Sequence, residues 1–169
     1  MHIEPIHLLA AVAVGIGATL VMDLWALFLR RAFNITSLDY CLVGRWLAHM
    51  PAGVFRHASI GAAARRPGEC TLGWIAHYAT GVVFALIVVL LASPRWLQNP
   101  TLLPAMAVGL ATITIPFFVM QPSLGLGIAA AKTPDPARAR LRSVMTHAVF
   151  GFGLYVSALV LGAAFGLRA

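Results

Sequence analysis

Leu8-Leu-Ala-Ala-Val-Ala-Val-Gly-Ile-Gly-Ala-Thr-Leu-Val-Met-Asp-Leu-Trp-Ala-Leu-Phe-Leu29, stopped by Arg30-Arg31, decides the fold of this chain. A helix of about 20 mostly apolar residues crosses the hydrocarbon core of a bilayer, and this stretch supplies that length with a single charge, Asp23. Three further stretches qualify, 73–92, 102–121 and 143–166. Arg30-Arg31, Ser93-Pro94-Arg95 and Thr133-Pro134-Asp135-Pro136 separate them. Pro116 and Pro122 each lack a backbone donor and are expected to kink or interrupt the third span.

Composition agrees. Of the 169 residues 60% are hydrophobic and 10% charged, with a mean hydropathy of +0.88. A soluble domain carries about 25% charged residues, so this chain has too little polar surface to cover itself in water. The net charge of +7 is spread between apolar segments, which is a topology signal rather than a nucleic-acid footprint. A secretory signal is not expected, because Met1-His-Ile-Glu-Pro-Ile-His7 has no Lys or Arg and the apolar run after it is too long.

Orientation follows from Lys and Arg. The first loop holds Arg30, Arg31, Arg45, Arg56, Arg65 and Arg66, and the third holds Lys132, Arg138, Arg140 and Arg142. The other side has only Arg95 and, in the tail, Arg168. Both termini are therefore expected in the periplasm and both long loops in the cytoplasm, among anionic headgroups. Within the loop 30–72, Leu42, Val43, Trp46, Leu47 and Met50 form an apolar stripe at helical spacing with Ser37 as N-cap. That pattern predicts an amphipathic helix, on the inner leaflet or packed under the bundle, with Arg45 and Arg56 off or beyond its stripe. Cys41 and Cys70 have no C-x-x-C spacing, and in a cytoplasmic loop they read as small apolar thiols.

Polar residues inside a bilayer are costly and point to function. Asp23 lies about 9 Å from the cytoplasmic end of its span, and His77 and His147 about 6 Å inside theirs; Gln121 closes the third span at the same end. Small residues at four-residue spacing lead to each: Ala11, Gly15 and Thr19 to Asp23, Gly73, Gly81 and Ala85 around His77, Ser143 and Gly151 around His147, and Ala105 and Gly109 toward Gln121. Such residues mark close helix approach, so the polar groups are predicted to face inward.

Four readings of this layer stand open. It is a structural network in which Asp23 accepts from a histidine or from Trp25. It binds a small ligand or a proton through Asp23, His77 and His147, with Gln121 and Glu69 assisting. It is a metal site of Asp23, His77 and His147, although no fourth ligand or helical pair anchors one. Or His77 and His147 hold a haem. Neither cofactor is expected. His49, His57, Glu69 and Cys70 match no metal spacing. Glu69 is singled out because it lies eight residues before His77.

His77-Tyr-Ala-Thr-Gly81 and His147-Ala-Val-Phe-Gly151 begin alike, each after a similar segment end, Val21-Met22-Asp23 and Val119-Met120-Gln121. The chain thus reads as two helix-hairpin repeats parallel across the membrane, the first carrying the amphipathic insertion.

Met120-Gln-Pro-Ser-Leu-Gly-Leu-Gly-Ile-Ala-Ala-Ala-Lys-Thr-Pro-Asp-Pro136, Arg140-Leu-Arg-Ser143 and His147-Ala-Val-Phe-Gly-Phe-Gly-Leu-Tyr155 resemble a bacterial family of small four-helix inner-membrane proteins of unknown function. Gly17-Ala-Thr-Leu-Val-Met-Asp-Leu-Trp25, Gly44-Arg-Trp46, Glu69 and Gly73-Trp-Ile-Ala-His-Tyr78 look like its other blocks, so the resemblance covers nearly the whole chain. It implies a polytopic inner-membrane protein and no particular reaction or functional residue. The expected architecture is all-α: four transmembrane helices in a bundle within one domain, 1–169, plus the cytoplasmic amphipathic segment. Its partner is the lipid bilayer, with no nucleic acid. A non-catalytic subunit or scaffold and a small transporter working as a homo-oligomer are the rival functions. No nucleophile triad or nucleotide fingerprint is present.

Overall fold

The computed structural model describes residues 4–164, so Arg168 and the predicted end of the last span lie outside the described residues. The elements are α1 (Pro5–Phe33), α2 (Tyr40–His49), α3 (Glu69–Ala92), α4 (Arg95–Gln98), α5 (Leu102–Ala111), a π-helix (Pro116–Met120), α6 (Gln121–Ser123) and α7 (Pro136–Ala164). Among the described residues there is no strand. Four stretches are long and apolar enough to cross a membrane: Pro5–Phe33, Glu69–Ala92, Leu102–Ser123 and Pro136–Ala164. The chain is a multi-pass membrane protein of the all-α class. Only 22% to 33% of the most apolar part of each span is buried, leaving residues such as Leu91, Leu103, Phe118 and Val160 exposed. In water such apolar surface would aggregate; lipid covers it.

The spans run longer than their apolar cores. Helix α1 continues to Phe33 and stops where Asn34 turns left-handed at φ 54°, its N–H returning to Arg30 and Leu29. Helices α3 and α7 begin at Glu69 and Pro136, four and seven residues before the predicted starts at 73 and 143. The third span breaks as Pro116 requires: α5 ends at Ala111, a turn follows at 112–113, and the backbone resumes as a π-helix from Pro116.

The chain divides into two compact units. Unit 1 comprises Met1–Thr36, Tyr78–Thr112 and Met145–Ala169. Its core is small-residue packing: Ala10, Ala11, Val14, Ala18, Ala85, Val88, Ala105, Leu154 and Ala158 are buried. A Cβ on Gly15 would stand 2.5 Å from Val82 Cα, and one on Gly109 would stand 2.5 Å from Gly151 Cα. Glycine is thus what lets α1 meet α3, and α5 meet α7, backbone to backbone. The predicted small-residue line Ala11, Gly15, Thr19 is buried up to the half-buried Asp23.

Unit 2 comprises Ser37–His77 and Ile113–Val144. Here α2 is capped by Asp39, whose carboxylate accepts from Cys41 N at 2.9 Å; the predicted cap, Ser37, stands two residues too early. The larger correction concerns which face is buried. Gly44, Arg45 and His49 are buried, and the apolar stripe Leu42, Val43, Trp46, Leu47 and Met50 is only half-buried. Arg45, expected off or beyond the stripe, does lie off it and is an interior residue.

The cysteine reading is also corrected: Cys41 and Cys70 are joined as a disulfide, with Cα atoms 3.9 Å apart. Their reach comes from the helix crossing. Cys41-Leu-Val-Gly44 and Cys70-Thr-Leu-Gly73 bring a glycine one turn beyond each cysteine. A Cβ on Gly44 would collide with the Glu69 carbonyl, and one on Gly73 with that of Tyr40.

Candidate functional site

In unit 1 two polar pairs are built into the membrane-capable helices. The Tyr78 hydroxyl donates to Asp23 Oδ2 at 2.9 Å, both side chains half-buried. Asp23 thus accepts from a tyrosine one residue past His77, a partner that the sequence reading did not name. Trp25 Nε1, the other donor considered there, is buried with no partner; its ring packs on Phe28 at 5.5 Å.

The second pair joins the third span to α7. Thr112 Oγ1 lies 2.8 Å from His147 Nδ1 and donates to the Gly109 carbonyl at 2.6 Å. A hydroxyl has one proton. With that proton on Gly109, His147 Nδ1 carries the hydrogen toward Thr112, which leaves Nε2 as the basic nitrogen. Gln121, the residue predicted beside the histidine layer, belongs to unit 2; it is 7% exposed and its Oε1 has no partner.

The two hairpins are alike at their glycines. Gly81, four residues past His77, has Gly15 and Thr19 against it, and Gly151, four past His147, packs on Ala105, Met106 and Gly109. Counted from these contacts, Asp23 lies eight residues beyond Gly15 and Gln121 twelve beyond Gly109. The helix break at 112–113 falls within that excess.

Unit 2 holds the remaining candidates. The His77 ring stacks on Tyr40 at 3.9 Å and meets Trp74 edge-on at 5.7 Å. Glu69 is 8% exposed and bound in a fork by Arg45, Nε to Oε2 at 2.9 Å and Nη2 to Oε1 at 2.7 Å. The Arg66 backbone N–H adds a third donor at 2.9 Å. Arg45 Nη1 reaches the carbonyls of Ile60, Gly61 and Ala63 at 3.2, 3.4 and 3.3 Å, so one guanidinium ties the loop 60–66 to α2 and α3. The Glu69 hydrogen bond holds the Arg45 guanidinium pKa above its ordinary value, against the desolvation that opposes it.

Nearby, His49 Nε2 lies 2.9 Å from the Ala64 carbonyl, and its ring meets that of His57 at 5.0 Å. Burial, then the neighbouring His49, lowers the His57 pKa and favours the neutral ring. Its Nε2 is buried without a partner. Among the described residues no group of three or more His, Cys, Asp or Glu is placed to hold a metal ion.

Comparison with curated proteins and with solved structures gives no match. The family described as "Protein of unknown function (DUF2938)" matches residues 12–161, which takes in most or all of each membrane-capable helix, and the chain belongs to that family.

Proposed function

We propose that this is a multi-pass protein of a bacterial inner membrane, with both termini periplasmic, that binds a small polar ligand or a proton at Asp23 and Tyr78 toward the cytoplasmic side. The observation that carries this reading is the 2.9 Å hydrogen bond between an ionisable carboxylate and a tyrosine hydroxyl within membrane-capable helices. His147 is the second candidate contact, through Nε2. Glu69 is assigned to structure instead, since both its oxygens are engaged by Arg45.

A ligand bound at a hundred times its Kd raises the thermal midpoint of a chain this size by roughly 5 to 10 °C. A thermal-shift screen of small polar molecules on the protein in nanodiscs is expected to find such a shift, absent in Asp23→Asn and reduced in Tyr78→Phe. If no compound shifts the wild type and Asp23→Asn only loses stability, the pair is structural and the scaffold reading replaces this one. The broken third span, with its turn at 112–113 and π-helix from Pro116, favours a transporter as second reading, because interrupted helices line binding sites in transporters. Four spans give a narrow path, so that reading requires a homo-oligomer.

Sidedness rests on Lys and Arg. The disulfide pulls the other way, because such bonds persist in oxidising compartments. On the charge bias the two cysteines face the cytosol, where they stand as contacting thiols that join on oxidation. Spheroplasts treated with an impermeant phosphine and an impermeant maleimide are expected to leave Cys41 and Cys70 unlabelled, with labelling after lysis. Labelling of intact spheroplasts would invert the topology.

A further inference from the structure

Unit 2 contains a cleft of about 600 Å³ lined by Arg56, His57, Gly125, Gly127, Ile128 and Lys132, within the size range of small-molecule sites. We propose that this cleft binds a phosphate-bearing anion, through Arg56 and Lys132.

Charge accounting supports the anion. Unit 2 carries Arg45, Arg56, Arg65, Arg66, Lys132, Arg138, Arg140 and Arg142 against three carboxylates, Asp39, Glu69 and Asp135. Each carboxylate is engaged elsewhere: Asp39 caps α2, Glu69 is held by Arg45, and Asp135 pairs with Arg138 at 3.3 Å and accepts its backbone N–H. No acidic side chain lines the cleft, and among the described residues neither Arg56 nor Lys132 has an ion-pair partner. Two uncompensated cations facing one concavity attract an anion, and phosphate offers each a charge-assisted hydrogen bond.

The cleft is also braced. Its two walls are the loop at 56–58 and the loop at 122–132. They are pinned by His57 N to the Ser123 carbonyl at 2.9 Å and Ile60 N to the Leu124 carbonyl at 3.1 Å. Gly125 sits at φ 89° directly under the Ala58 carbonyl, where a Cβ would collide. Gly127, at φ 76°, leaves room for the Lys132 stem, since a Cβ there would stand 2.9 Å from Lys132 Cγ. Ile128, 59% exposed at the rim, suits the glycerol or acyl part of a phospholipid, while the cations suit free phosphate equally. Phosphate is the chemistry common to both sources.

The test uses the full chain in nanodiscs and two probes. Inorganic phosphate is titrated calorimetrically in neutral phosphatidylcholine discs; retained phospholipid is counted by native mass spectrometry after release from discs containing phosphatidylglycerol. Arg56 and Lys132 are exposed, so Arg56→Gln with Lys132→Gln should fold. The double variant is expected to bind roughly tenfold or more weakly, and Arg30→Gln with Arg31→Gln, the same charge change on exposed residues of unit 1, less than twofold. Phosphate binding identifies a soluble phosphorylated ligand, and retained phosphatidylglycerol without phosphate binding identifies the headgroup. If neither probe binds, or the control weakens binding as much as the cleft variant, the proposal is overturned. The outcome is independent of Asp23, so it stands or falls apart from the membrane-site reading.

Discussion

Glu69→Gln is expected to lower the thermal midpoint by roughly 10 °C, and Arg45→Met by a similar amount. Each substitution removes one partner of a forked ion pair whose side chains are 7% and 10% exposed. The survivor is then a buried charge without a counter-charge, which costs far more than the pair itself contributes. Arg45→Lys should restore little, because an ammonium cannot reproduce the two parallel contacts to Oε1 and Oε2 or the reach to the carbonyls of Ile60 and Ala63. The double replacement Arg45→Met with Glu69→Leu should recover much of the loss, since no lone charge is left. A double-mutant cycle by thermal unfolding measures all four. Single variants within about 2 °C of the wild type would show that water already screens the pair.

The same ion pair shows where sequence reading stops. Four apolar stretches were enough to place the membrane-capable helices, because a bilayer demands length and apolarity and little else. The break at 112–113 followed from the backbone donor that Pro116 lacks, while the chain runs helical through Pro122 to Ser123; the small-residue line up to Asp23 followed from packing at four-residue spacing. The burial of Arg45 was missed for a physical reason. The apolar stripe was expected to mark the face that meets the leaflet or the bundle, whereas α2 buries the face of Gly44, Arg45 and His49 instead. The partners that explain it are 24 residues away for Glu69 and 29 for the Cys41 bond to Cys70, beyond any helical periodicity. Tyr78 and Thr112 escaped notice in a related way. The layer was defined by carboxylate, imidazole and amide side chains, and hydroxyls that satisfy such groups leave little mark on composition. One trace was legible in retrospect: Cys41-x-x-Gly44 and Cys70-x-x-Gly73 repeat the same small-residue spacing on the two helices that cross.

That crossing yields the second large effect. Gly73→Ala is expected to destabilise the protein by about 3 kcal/mol and to prevent the Cys41–Cys70 bond from forming. The added methyl meets the Tyr40 carbonyl, and backbone cannot swing aside as a flexible side chain can. Separating α2 from α3 to relieve that contact also draws apart the cysteines, whose Cα atoms are 3.9 Å apart. Closing a loop whose ends are 29 positions apart in sequence contributes roughly 3 to 4 kcal/mol when the bond is formed, so under oxidising conditions the two losses compound. Under reductant the wild type loses only the cross-link contribution, and Gly73→Ala stays less stable than the reduced wild type because the backbone clash persists. Gly61→Ala is the matched control: the nearest atom to its Cβ is Ser59 Oγ at 3.8 Å, and a change within about 0.5 kcal/mol is expected. Thermal unfolding with and without reductant, read beside an alkylation-shift gel for the cross-link, separates the terms. A Gly73→Ala protein that unfolds with the wild type and still forms the bond would mean that α2 and α3 do not cross at these glycines. The glycine-based account of unit 2 would then fall with it.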